Sequence, residues 1–276
     1  MKLTVLVDNN TFVDQYFLAE PGLSVFIEDE GTRVLFDCGY SDIFFHNARR
    51  MGIDLLFLDY LIFSHGHSDH TWGVDALIRE YNGAVLQKLP HRKPIVVGHP
   101  KVFVSSLHED VGEIGAMISR EKISHHFEVG LTDSPVRLTE RLTYLGEIPR
   151  KTDFESLHPI GRRDDENKED YMIDDTALAY KSDDGLVIIT GCSHAGICNI
   201  VEHARRVCEE DRVIDIVGGL HLLNPSKKQM AGTLNYLKEL GLKQLHACHC
   251  TDLASKVALA SVVPLKDVGV GLTLEY

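Results

Sequence analysis

Residues Leu58 to His70 read LDYLIFSHGHSDH, an apolar run that ends in three histidines and an aspartate within six residues. Imidazole and carboxylate are ligands for zinc, iron or manganese. His65 and His67 stand two apart, so an extended segment points both the same way. Asp69 and His70 follow a turn and can address a second position nearby. One short loop therefore offers two neighbouring ligand sets, as a two-metal hydrolytic centre requires. A merely polar, histidine-rich loop is the bland alternative, and the motif's form disfavours it. A buried strand delivers all four residues to its carboxyl end, where α/β folds keep their active sites.

The same strand-then-ligand design recurs later in the chain. The run Leu186 to Thr190 ends in Gly191-Cys192-Ser193-His194, and Leu245 to Cys248 leads into His249. A thiolate at Cys192 would suit zinc but would bridge two hard metals less readily than a carboxylate. A buried structural cysteine is the competing reading. His221 follows Val217-Gly218-Gly219, whose glycines permit close backbone approach to a ligand. His246, Cys248 and Cys250 suggest a zinc knuckle, but no second Cys/His pair lies at finger spacing, so that reading fails.

The elements that must position these residues can be read from periodicity and turn residues. Strands are expected at about 2–8, 23–29 and 32–37, then a helix from Ser41 to about Met51. After the ligand loop a short helix is expected from Val74 to Tyr81, stopped by Gly83, and then a strand over Pro94 to Gly98. The stretch 100–175 reads as an insertion with a helix around 109–118. Within it, RRDDENKED (Arg162 to Asp170) reads as a solvated loop, with a mobile flap as the sharper alternative. A hairpin turning at Ser182 to Gly185 follows. Helices are then expected over 197–209, 226–240 and 252–260, and strands over 213–217, 243–247 and 269–275. No repeat or linker divides the chain, so the expectation is one domain over 1–276.

HGHSDH, with the apolar strand before it and TWGVDAL after it, resembles the HxHxDH signature of the metallo-β-lactamase superfamily. GLSVFIEDEGTRVLFDCG, GLVIITGCSHAGICNI, IVGGLHLL and HACHCTD resemble further strands and loops of that superfamily. Their wording is nearest a subgroup named after an archaeal synthase of a dihydropterin-ribofuranosylaminobenzene phosphate. The resemblance implies an α/β chain folded as a four-layer αββα sandwich. It implies one or two divalent ions, with zinc favoured over iron or manganese. His65 and His67 would bind the first ion, and Asp69, His70 and His249 would bind or face the second. Asp69 would also orient the water between them, and a metal-bound hydroxide would attack a small, phosphorylated or other ester-type substrate.

Two departures from the superfamily pattern stand out. Many members carry a bridging aspartate where this chain has Cys192. Members also place a ligand histidine shortly before that strand, where Tyr171 to Ala179 (YMIDDTALA) has none. His194 is the favoured replacement, with Asp174, Asp175 and His99 as alternatives. His221 matches either a general acid that protonates the leaving oxygen or a further ligand.

With 276 residues, 44% of them hydrophobic, the chain can bury an extensive core. A net charge of −13 argues against a nucleic-acid surface, so the expected partner is a small molecule. Neither an export signal nor an apolar run of membrane-spanning length is seen, which makes a cytoplasmic setting the default. The six cysteines show no disulfide framework. Three function classes follow. The first is a metal-dependent hydrolase. The second is a transferase joining a pterin pyrophosphate to an aminobenzene ribosyl phosphate. The third is a non-hydrolytic metal-binding or redox protein.

Overall fold

The structure, a computed structural model, describes residues 1–165 and 167–276. Three sheets account for its strands. The first runs, in spatial order, β17 (Thr273–Glu275), β1 (Lys2–Val7), β2 (Ser24–Asp29), β3 (Thr32–Phe36), β4 (Tyr60–Ile62), β5 (Ile95–Gly98) and β8 (Glu128–Leu131). The second runs β16 (His246–Cys248), β15 (Val213–Gly219), β14 (Gly185–Thr190), β13 (Ala177–Ser182), β10 (Leu142–Tyr144) and β9 (Val136–Arg137). A small third sheet holds β12 (Lys168–Asp170), β11 (Gly161–Arg163), β6 (Ser106–His108) and β7 (Gly112–Glu113).

Alternation along the strands sorts their side chains into layers. Val34 and Phe36 of β3 join Val187 and Ile189 of β14 in a core between the two large sheets. Leu35 points the other way, into a core roofed by α1 (Ile43–Arg50), α3 (Val74–Gln87) and α4 (Arg120–Ser124). Leu186 and Ile188 likewise face α5 (Ile197–Cys208), α6 (Lys227–Leu240) and α7 (Leu253–Ala260). The result is the expected αββα sandwich. The short α2 (Ser68–Thr71) belongs to the ligand loop itself.

Where the expectations fail, the reason is local. Helix α3 runs past Gly83 to Gln87. One interior glycine costs about 1 kcal/mol, and burial of Tyr81 and Ala84 on either side outweighs it. The helix expected at 109–118 is instead a hairpin, with His108 opposite Gly112, whose φ of +79° suits a turn. The charged run from Arg162 to Asp170 is mostly solvent-exposed as expected, but it is not loop throughout. Its ends pair as β11 and β12, while Glu166 lies outside the described residues.

The stretch 100–175 contributes to all three sheets, through β8 in the first, β9 and β10 in the second, and the third sheet itself. That third sheet braces the ligand loop. The Ser68 amide donates to the Ile114 carbonyl at 2.8 Å, and the Trp72 indole donates to Gly115 at 2.8 Å.

Candidate metal centre

Parallel pairing of β4 with β3 and β5, and of β14, β15 and β16 with one another, brings four loops to one end of the sandwich. Those loops carry His65, His67, Asp69, His70, Cys192, His194, His221 and His249, whereas the alternatives Asp174, Asp175 and His99 lie on other segments. His65 Nε2 lies 3.2 Å from His67 Nδ1 and 3.2 Å from His194 Nε2, which makes one imidazole set. His70 Nε2 lies 3.2 Å from both His249 Nε2 and Cys192 Sγ, and His249 Nε2 lies 3.2 Å from Asp69 Oδ2. Together these give the sets His65–His67–His194 and Asp69–His70–His249, joined through His65–His70–Cys192.

The donor set fits divalent ions. Ligand nitrogens about 2.0 Å from a tetrahedral zinc stand about 3.3 Å apart, close to the spacings found here. Burial, reinforced by the neighbouring histidines, holds His65 and His194 well below the ordinary imidazole range. Burial also lowers His67 to about 4. All three are therefore neutral at physiological pH, the form that binds a metal. Burial pushes Asp69 up, but His70 and His249 outweigh it and hold the carboxyl below the usual range. The side chain of Asp69 keeps 31% of its exposure, so it faces the open side of the site.

Asp37 lies behind the ligands, fully buried just beyond the end of β3. Its Oδ2 accepts from Ser64 Oγ at 2.6 Å and from His70 Nδ1 at 2.7 Å, and its Oδ1 accepts from the Ser64 amide at 2.8 Å. Ser64 Oγ in turn lies 2.9 Å from His65 Nδ1. One carboxylate thus fixes the orientation of both central histidines. Gly191 makes room for this network, since a Cβ there would collide with Ser64 Oγ. Across the site, Asn9 Oδ1 holds His249 Nδ1 at 3.1 Å and Asp8 accepts the His249 amide at 2.9 Å. Sequence reasoning missed Asp37, Asp8 and Asn9. The available signal was a polar residue directly after an apolar strand, in LFDCG and VLVDNN.

Of the candidates for the missing histidine, His194 alone joins His65 and His67. Asp174 accepts the Gly66 amide between those two, and Asp175 accepts the Ala195 amide beside His194, each at 2.8 Å. They brace ligand loops instead of entering a set. His99 pairs with Glu147 at 3.1 Å, away from the cluster. His221 packs its ring 4.3 Å from that of His194 and lines a cavity of about 240 Å³ with Ser193, Met172 and Leu223. Cys250, excluded as part of a finger, sits with Cys192 and His221 instead.

Two buried groups tie folding to pH. Burial lowers His70, but the Asp69 and Asp37 carboxylates outweigh it and raise the imidazole to about 9. Burial raises Asp175 to about 7. A group whose folded pKa lies above its unfolded value loses its stabilising contribution as pH rises through the folded value. Metal-stripped protein is therefore expected to melt progressively lower from pH 6.5 to pH 9. A scanning-calorimetry series checks this, and a flat or rising Tm across that window contradicts it.

The sequence profile described as the metallo-beta-lactamase superfamily matches residues 18–202. The chain is 29% identical to the 7,8-dihydropterin-6-methyl-4-(β-D-ribofuranosyl)-aminobenzene-5'-phosphate synthase of Methanocaldococcus jannaschii, over 93% of this chain and 89% of that one. Among solved structures, it superposes on a metal-dependent hydrolase of the β-lactamase superfamily with a TM-score of 0.83 and 28% identity, covering 100% of this chain and 99% of that one. A diphosphatase of the PhnP family shares the fold at a TM-score of 0.55 and 16% identity, over 100% and 97% of the two chains. Residues 18–202 take in β2 through β14 and the first half of α5, together with the whole first ligand loop. With profile, fold and ligand sets in agreement, the chain belongs to the metallo-β-lactamase superfamily.

Proposed function

We propose that the protein is a metal-dependent hydrolase acting on a small ester-type substrate, with a phosphorylated compound the first class to test. The observation that carries this reading is the pair of ligand sets meeting at His65 and His70, with Asp69 held on their open side. His65, His67 and His194 would hold one divalent ion, and Asp69, His70 and His249 the other, with Cys192 between them. Divalent ions there supply Lewis-acid activation of water and of a substrate oxygen. The protein's own residues do the rest. Asp69, kept ionised by its histidine neighbours, can orient a water by accepting its hydrogen bond and can take its proton. The cavity beside His194 and His221 offers room for the substrate, with Leu223 and Met172 on its walls.

The likeness to the archaeal synthase favours a second reading, in which the same ligand residues serve transfer of a pterin to an aminobenzene ribosyl phosphate. One experiment separates the two. Zinc- and manganese-loaded protein is incubated with chromogenic phosphodiester, phosphonate and thioester probes, and in parallel with the two synthase substrates. Hydrolysis of one probe class that is lost on chelation supports the first reading. Inertness toward every ester class in a fully metallated protein overturns it, and a coupled pterin product establishes the second.

A further inference from the structure

We infer that Cys192, His221 and Cys250 form a third, sulfur-rich cation site beside the two ligand sets, and that its ion is zinc. The three side chains come from the loops that follow β14, β15 and β16. Parallel pairing sets those strand ends side by side, with Thr190 opposite Gly218 and Gly219 opposite Cys248. Their ligand atoms all lie within 4.8 Å of one another. In a tetrahedral zinc site, with bonds of about 2.3 Å to sulfur and 2.0 Å to nitrogen, donors stand about 3.5 to 3.8 Å apart, inside that limit.

Four further observations show a built arrangement. The His221 amide donates to Cys250 Sγ at 3.2 Å, which fixes the sulfur against the neighbouring loop. His221 Nδ1 is buried without a hydrogen-bond partner among the described residues. At Gly219 a Cβ would stand 2.5 Å from Cys250 Sγ and 3.3 Å from Cys192 Cα, so only glycine leaves space for the two cysteines to meet. His221 and His249, which precede or enter the cluster, both hold left-handed φ values, +47° and +50°. That conformation costs a non-glycine residue about 1 kcal/mol or more and persists where surrounding contacts enforce it.

Two sulfurs and an imidazole select zinc over the hard oxygen-seeking ions, and three protein donors leave a fourth position open. On loading, each thiol gives up its proton to solvent as the S–H bond is replaced by a bond to the ion, with no change of oxidation state. Cys192 belongs to this site and to His65–His70–Cys192, so it would couple the new ion to the other two. His221 would then be a ligand and could not serve as a proton donor through the same nitrogen.

The test is metal content and thiolate ligation in the full-length protein. Zinc-loaded wild type is expected to hold three equivalents by elemental analysis, and Cys250→Ser and His221→Ala two each, all with wild-type circular dichroism. After exchange into cadmium, the ultraviolet thiolate-to-metal band should fall by about half in Cys250→Ser, because the thiolate is the ligand and one of two is removed. His221→Ala, which keeps both sulfurs, guards against misreading a misfolded cysteine variant. Two equivalents in wild type and both variants, with an unchanged band, overturn the third site alone. A Cys192–Cys250 disulfide in metal-replete protein prepared under reducing conditions overturns it as well. Protein that binds no metal at all would remove the hydrolase reading too.

Discussion

His65→Ala is expected to empty the first ligand set and to lower kcat/KM by about a thousandfold or more, because several kcal/mol of charge stabilisation are lost. The reason is position. His65 Nε2 faces both His67 and His194, and Ser64 Oγ holds its other ring nitrogen, so its one free lone pair serves a single ion. Asp69, His70 and His249 form the other set without it. His65→Ala should therefore cost one equivalent of metal, as should His67→Ala. Elemental analysis beside steady-state kinetics measures both, with circular dichroism to confirm folding. A His65→Ala protein that keeps full metal content and turnover would refute the arrangement. Loss of two equivalents in His65→Ala alone would refute the assignment of His65 to one set.

The first ligand loop was legible because its chemistry is local. Four candidate ligands fall within six residues, and the apolar run before them announces a strand end. The four-layer sandwich was legible for a similar reason, since period-2 strands and period-3.6 helices declare which faces are buried. The residues that were missed act across the fold. Asp37 reaches Ser64 and His70 over 27 and 33 residues, and nothing in LFDCG fixes where that carboxylate points. Cys250 was judged by spacing along the chain, yet its partner Cys192 lies 58 residues away and meets it through parallel pairing. The third sheet was illegible because strands of two or three residues carry too little periodicity to separate from loop. Asp174 and Asp175 looked like stand-ins for a missing histidine. Only the structure shows that they hold the ligand loops by their amides.

Asp37→Asn is expected to weaken metal binding about 10–100-fold although the residue touches no metal position, the usual cost of losing the partner that orients a ligand. Asparagine tolerates the left-handed backbone at this position, where φ is +60°, so the fold should survive. The new amide can keep the Ser64 N–H bond through its oxygen, but it presents N–H where Oδ2 now accepts from His70 Nδ1 and Ser64 Oγ. His70 would then have to accept at Nδ1 and carry its proton on Nε2, the atom that faces Cys192 and His249. Ser64, forced to accept from the amide, would donate to His65 Nδ1 and impose the same tautomer there. Two lone pairs aimed at the ions would become two N–H groups. Nitrogen-15 NMR of the histidines, recorded above the raised His70 value of about 9 so that the wild-type ring is neutral, should show both rings switching tautomer in metal-stripped protein, a change that mere loosening of the fold would not produce. The carboxylate that helps raise His70 would also be gone, so the fall in Tm between pH 6.5 and 9 should shrink. Wild-type affinity with unchanged tautomers in Asp37→Asn would show that His65 and His70 are oriented by packing instead of by this carboxylate.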